Sequence, residues 1–186
     1  MGGDIIREIP LIRRYAESME DDNWRFRTFV KHRLVMPDDE LDRVVQETTE
    51  AVSSHIDCTK CANCCRTMQV VVDAADADRL AKRLNMTAAA FAKRHMKFDE
   101  HSDGYLSSIP CPFLKENACT VYEDRPKACR DFPYLHASGF RTRMIMMIEN
   151  TGICPIVYNT CERLKSTLPY RRRAKTRGAR QSRRRL

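Results

Sequence analysis

Cys58-Thr59-Lys60-Cys61-Ala62-Asn63-Cys64-Cys65 places four thiols within eight residues. Two-residue gaps let a tight loop aim successive sulfurs at one point, the geometry of zinc knuckles and of iron–sulfur ligand runs. Adjacent side chains diverge, so Cys64 and Cys65 are suited to different metal atoms or to different sites. A free cysteine is commonly a small buried apolar residue. Four in so short a stretch would make a poor core segment, so the stretch is read as a metal-binding turn on which a small domain is built.

Working outward, four more thiols follow as Cys111-Pro112, Cys119, Cys129 and Cys154-Pro155. CxxC-spaced thiols joined by a remote Cys-Pro match part of the bacterial [4Fe–4S] pattern, although the remote spacing is longer here. Eight thiolates can make two tetrathiolate sites, or one site with spare redox thiols. Either zinc or an oxidised [4Fe–4S] cluster held by four thiolates is a net anion, so cations and N–H donors near sulfur should stabilise it. Arg66 follows Cys65 and Arg130 follows Cys129, which makes both candidates, with a solvated surface position as the alternative for each. His55 lies near Cys58 but is not needed as a ligand. His32, His95, His101 and His136 show no metal spacing.

The blocks CTKCANCCR (58–66), CPFL (111–114), CTVYEDRPKACRDFP (119–133) and the later Cys154-Pro155 resemble the CxxCxxCC, or YkgJ-like, cysteine-cluster family. That resemblance implies zinc or iron chelation and a relation to flagellin lysine N-methylases. It also implies that Cys58, Cys61, Cys64, Cys65, Cys111, Cys119, Cys129 and Cys154 belong to one assembly, holding an Fe–S cluster or zinc. Members usually carry glycine directly after the second cysteine, where this chain has Ala62. The resemblance suggests that Arg125-Pro126 and Pro133 fix the angle at which Cys129 approaches the metal. A helix is expected to start at Asp124 or Arg125, run through Cys129 and stop at Pro133.

The ninth cysteine reads differently. Val157, Cys161, Leu164 and Leu168 make one apolar stripe of a helix from Pro155 to Leu168, so Cys161 should be a core residue with a protonated thiol. Cys154 stands at the start of the same helix, where the dipole and free N–H groups should favour a thiolate.

The rest of the chain gives an α+β fold: a small cysteine-rich metal-binding domain with an N-terminal helical extension and a disordered basic tail. Its expected parts are a helical region (1–57), the cysteine domain (58–168) and the tail (169–186). After Pro37 the residues Leu41, Val44, Val45, Val52 and Ile56 follow helical spacing, and Trp24, Phe26, Phe29 and Leu34 suggest another packed helix. Met68 to Val72 is β-prone. Asp73 should cap one helix and Thr87 a second bearing Phe91 and His95. Tyr105 to Ile109 and Ala118 to Tyr122 are strand candidates, the latter closing a hairpin across Lys115-Glu116-Asn117. Arg141 to Glu149 also reads as a strand, with Met144, Met146 and Ile148 on one face.

The chain carries 33 Lys and Arg against 25 Asp and Glu, a net charge of +8. Nine of those cations lie between Tyr170 and Leu186, so the body keeps 24 against 25 and is close to neutral. No apolar run spans a bilayer and the first residues show no secretory pattern, so a reducing cytoplasm is expected, where clustered thiols bind metal or do redox work. Three functions fit. The first is a metal-binding protein whose partners are a metal ion or cluster, with a protein partner also conceivable. The second is a protein-lysine N-methyltransferase, but the six glycines form no phosphate-cradling loop after a strand and no catalytic residue can be named. The third is a zinc-dependent RNA module whose Arg-rich tail meets nucleic acid or another anionic surface.

Overall fold

The computed structural model describes residues 4–100 and 104–172. Three helices open the chain: α1 (Ile9–Ser18), α2 (Glu20–His32) and α3 (Asp38–Ser53). Glu20, Asp21 and Asp22 start α2, while Lys31 and His32 end it, so both ends complement the helix dipole. Asp38, Asp39 and Glu40 do the same at the start of α3. Leu41, Val45 and Val52 form its buried face, as the spacing predicts.

The cysteine turn follows as two short helices, α4 (Cys58–Cys61) and α5 (Asn63–Thr67). Beyond it come α6 (Ala74–Arg83) and α7 (Ala88–His95). The Asp73 carboxylate accepts the Asp76 N–H at 2.7 Å, and Thr87 Oγ1 accepts that of Ala90 at 3.2 Å, so both expected caps are present. Strands β1 (Met96–Phe98) and β2 (Gly104–Leu106) pair antiparallel. The β-prone run lies on the other side of β2, with the Val72 N–H donating to Gly104 O and the Leu106 N–H to Val70 O. A Cβ at Gly104 would stand 2.8 Å from Val72 O, so this close approach needs glycine.

A second hairpin joins β3 (Leu114–Lys115) to β4 (Ala118–Cys119). Its turn residues Glu116 and Asn117 both have positive φ, as a two-residue type I′ turn requires. Both strand candidates are shorter than expected. After Leu106 the Ser107 N–H turns to His95 O, and after Cys119 the Thr120 N–H turns to Phe113 O. A 3₁₀ turn then runs over Tyr122–Asp124, followed by α8 (Lys127–Asp131).

The strand expected from Arg141 to Glu149 is not formed. A 3₁₀ turn (Phe140–Arg143) leads into α9 (Met144–Glu149), followed by a further 3₁₀ turn (Asn150–Gly152) and then α10 (Pro155–Thr167). Burial explains the difference. Met144, Met147 and Ile148 are buried and Ile145 is exposed, which is spacing of three and four rather than alternation.

Two cores result. The larger joins both ends of the chain: Phe26, Val30, Leu41, Val45 and Val52 from α2 and α3 pack with Met144, Val157, Cys161 and Leu164. The smaller gathers Val72, Leu80, Phe91, Leu106, Phe113 and Val121. The basic tail is docked at its first residues. Tyr170 sits edge-on to Phe26 at 5.2 Å and donates its hydroxyl to Asp22, and Arg172 pairs with Asp22 and Glu162. The rest of the tail, 173–186, whose disorder the composition suggests, lies outside the described residues. No described helix is long and apolar enough to cross a membrane.

Candidate metal centre

The CxxCxxCC turn is a helix–kink–helix. Asp57 caps α4, its carboxylate accepting the Thr59 N–H at 3.0 Å and hydroxyl at 2.6 Å. Ala62 then takes a left-handed conformation, with φ 49° and ψ 16°, and α5 starts in a new direction. Ala62 thus adopts the backbone that glycine favours, as expected if the resemblance places a glycine there. Two side chains pin the kink. Asn63 Nδ2 donates to Ile153 O at 2.7 Å, next to Cys154. Arg66 donates to Cys61 O at 2.9 Å and also reaches Asn117 Oδ1 in the β3–β4 turn.

The remote thiols arrive from four separate devices. The Cys111 N–H donates to Cys65 O at 2.8 Å, which ties the Cys-Pro segment to the turn. The N–H groups of Phe113 and Leu114 lower the Cys111 thiol pKa against burial. Cys119 lies opposite Leu114 in the β3–β4 hairpin, and the Val121 N–H acts on its thiol in the same sense. Cys154 is the N-cap of α10; its side chain makes no capping hydrogen bond, but the first-turn N–H groups of Ile156 and Val157 also lower its pKa. N–H groups near sulfur are the support a thiolate ligand needs. In the Cys111 and Cys154 segments proline follows the cysteine and has no N–H of its own.

Cys129 is held by α8, and here the expected helix start is displaced. The helix begins at Lys127 rather than at Asp124 or Arg125, because Arg125 precedes proline and is held extended, with ψ 149°, and the first helical N–H is satisfied from elsewhere. Buried Asp76, on α6, accepts the Lys127 N–H on both carboxylate oxygens at 3.0 and 3.1 Å and also pairs with Arg79. This cap in trans could not be read from local sequence. The expected stop before Pro133 is present, at Asp131.

Burial dominates the electrostatics. It pushes the Cys58, Cys111 and Cys119 thiols up, and those of Cys129 and Cys154 up to about 12. The charges of Cys65, Cys111 and Cys119 add to the effect on Cys129. For Cys154 this corrects the expectation of a favoured thiolate: the two N–H donors lower its pKa, but burial outweighs them. Cys161 is fully buried and also reaches about 12, as a core thiol should. Cys65 is the exception. It is lowered because it accepts a hydrogen bond from Cys64, whose own thiol is raised, and because Arg66 is near. A bound cation would offset the repulsion and desolvation that keep the others protonated, and its binding would release protons.

Of the two arginines expected to support the site, Arg66 does so. Arg130 turns instead to Arg125 O at 2.5 Å and towards Asp76 at 3.9 Å. The cation missed in the sequence is Arg125, which lowers the thiol pKa of Cys58, Cys119 and Cys129 against their burial. Its guanidinium lies 3.9 Å from the Tyr122 ring centroid and donates to Tyr122 O at 2.7 Å. The only signal was its place between Cys119 and Cys129, where Arg-Pro reads as turn punctuation.

All nine cysteines are free thiols. His55 is exposed. Among the described residues no three His, Cys, Asp or Glu side chains are grouped closely enough to hold an ion. The donor set itself fits: soft sulfur ligands, N–H groups near sulfur and nearby guanidinium groups suit zinc or iron. Cys58, Cys61, Cys64, Cys65, Cys111, Cys119, Cys129 and Cys154 are the residues that would hold it.

Fold and donor set together define a thiol-rich α+β chelating domain. Residues 57–156 match the CxxCxxCC family, described as a "putative zinc- or iron-chelating domain", and the chain belongs to that family. Comparison with curated proteins and with solved structures gives no match.

Proposed function

We propose that this protein works in the reducing cytoplasm as a metalloprotein, holding an Fe–S cluster, zinc or both through its eight clustered thiols. The observation that carries the reading is the match of residues 57–156, which include all eight thiols, to a zinc- or iron-chelating family; backbone N–H groups that lower the thiol pKa of Cys111, Cys119 and Cys154 against burial support it. Such donors are wasted on a packing cysteine and stabilise a metal-bound thiolate. Cys161 makes the contrast within the same helix. It has no such role, packs in the larger core and lies beyond the family's matched residues.

The test is the absorption spectrum and metal content of protein purified without oxygen. Broad absorption near 400 nm (roughly, for thiolate-bound iron–sulfur) with acid-labile sulfide identifies a cluster, while a colourless protein with zinc identifies a zinc site. Cys154→Ser should lose metal, and Cys161→Ala should retain it. Metal-free wild-type protein under these conditions, unable to take up iron or zinc, overturns the reading.

A further inference from the structure

The vicinal pair raises the question of how eight thiols are shared. Both Cys64 and Cys65 lie in α5. Successive residues of a helix point about 100° apart; the Cys64 thiol still donates a hydrogen bond to Cys65, but the remaining neighbours of the two sulfurs are not the same. On the Cys64 side, Asn63 ties the turn to Ile153 and so to the start of α10, and Cys154 is an electrostatic neighbour of Cys64, Cys58 and Cys61. On the Cys65 side, Cys65 O receives the Cys111 N–H. Cys65, Cys111, Cys119 and Cys129 are mutual neighbours, every pair of the four being within reach of the other's charge.

The two groups also belong to different parts of the fold. Cys154 is a member of the larger, helical core. Cys111 and Cys119 pack against the smaller core. Short α5 is tied to both sides: Asn63 bonds Ile153 O beside Cys154, and Cys65 O receives the Cys111 N–H.

We propose that the eight thiols form two separate four-sulfur metal centres, Cys58/Cys61/Cys64/Cys154 and Cys65/Cys111/Cys119/Cys129, divided at the Cys64–Cys65 peptide bond. This rests on the reading that the cluster holds metal. Each centre forms four metal–sulfur bonds and releases its thiol protons to solvent. The first anchors the CxxCxxCC turn to the helical core and the second anchors it to the smaller core. Arg125, an electrostatic neighbour of Cys58 in one group and of Cys119 and Cys129 in the other, is the counter-charge they share.

The experiment counts metal per chain in the full-length protein after paired substitutions. Cys61→Ser with Cys154→Ser should remove one of two metal or cluster equivalents and leave the other, and Cys111→Ser with Cys129→Ser should do the same. Complete loss from either pair, in protein that keeps its helical circular dichroism, overturns the division in favour of one shared centre. Should the variants fail to fold, wild-type protein loaded with ¹¹³Cd²⁺ decides. Two resonances of equal intensity, without cadmium–cadmium coupling, are expected. A single resonance, or coupling through a bridging thiolate, overturns the proposal. A wild-type chain that binds no cadmium, zinc or iron would instead sink the metal-binding reading beneath it.

Discussion

The larger core closes on long elements: Phe26 and Val30 from a helix of 13 residues, Leu41, Val45 and Val52 from one of 16, and Val157 and Leu164 from another of 13. The smaller core has two helices of 10 and 8 residues and strands of only two or three. Hairpins of that size are marginal in water by themselves. Yet the smaller core sits next to Cys111 and Cys119. The difference teaches where metal matters. Apolar burial is expected to hold the helical half, whereas the hairpin half, with less surface to bury, is expected to depend on sulfur–metal bonds.

Removing the metal should therefore break the molecule unevenly, and this is the largest effect expected. Structural metal–thiolate centres supply folding free energy of roughly 10 kcal/mol or more. In chelator-treated, reduced protein, amide exchange should become fast at Leu106, Phe113 and Val121 while Val45 and Leu164 remain protected. Equal loss in both cores, or none, would show that the metal is not what separates them.

Asp76 offers a narrower way to divide the halves. Its carboxylate is buried, takes the first N–H of α8 and pairs with Arg79. Asp76→Ala leaves those groups unsatisfied and should cost about 2–3 kcal/mol. Because α8 carries Cys129, metal held with Cys65 should become easier to chelate, and metal held with Cys154 should not. Equal loosening of both groups would count against the division of sulfurs. The cost itself is measured by denaturant unfolding of the metal-loaded variant.

How much of this was legible follows the range of the interactions. Helix α3, the Asp73 and Thr87 caps, the Glu116-Asn117 hairpin and the core place of Cys161 were readable because local spacing and capping decide them. The segment Met144–Ile148 was misread because five apolar residues in a row fit either period, and only the packing partner selects the helical one. The eight candidate thiols were nameable from their spacing and the family resemblance, and all lie within the matched residues 57–156. Their neighbours were not, since Asp76 and Arg125 act across the fold. Adjacency in sequence suggested Arg130, yet the guanidinium that lowers the pKa of three thiols is that of Arg125.

Arg125 reaches both groups, so its replacement should not discriminate between them. Loss of an outer-sphere partner usually lowers metal affinity about 10–100-fold. Arg125→Gln should weaken both centres within that range in competition with a chelator, leaving the metal stoichiometry unchanged at saturation. An effect confined to one centre would remove Arg125 as the shared counter-charge.

The smallest effect is expected at Ala62, the pivot between Cys61 and Cys64. A non-glycine residue in the left-handed region is strained by roughly 1–2 kcal/mol, and Ala62→Gly relieves that strain. Two losses oppose the gain. Glycine adds freedom to the unfolded chain, worth about 0.4–1 kcal/mol. Removing the methyl group of a residue that is only 6% exposed gives up about 0.8 kcal/mol of burial. The sum lies within about 1 kcal/mol of zero, so Ala62→Gly should barely move the melting temperature of the metal-loaded protein and should leave both centres filled. Alanine is thus tolerated here because its methyl finds a buried place that partly offsets the backbone strain. A large stabilisation in Ala62→Gly would mean that the methyl contributes nothing. Metal loss from one centre would mean that the kink itself sets the angle between Cys64 and Cys65.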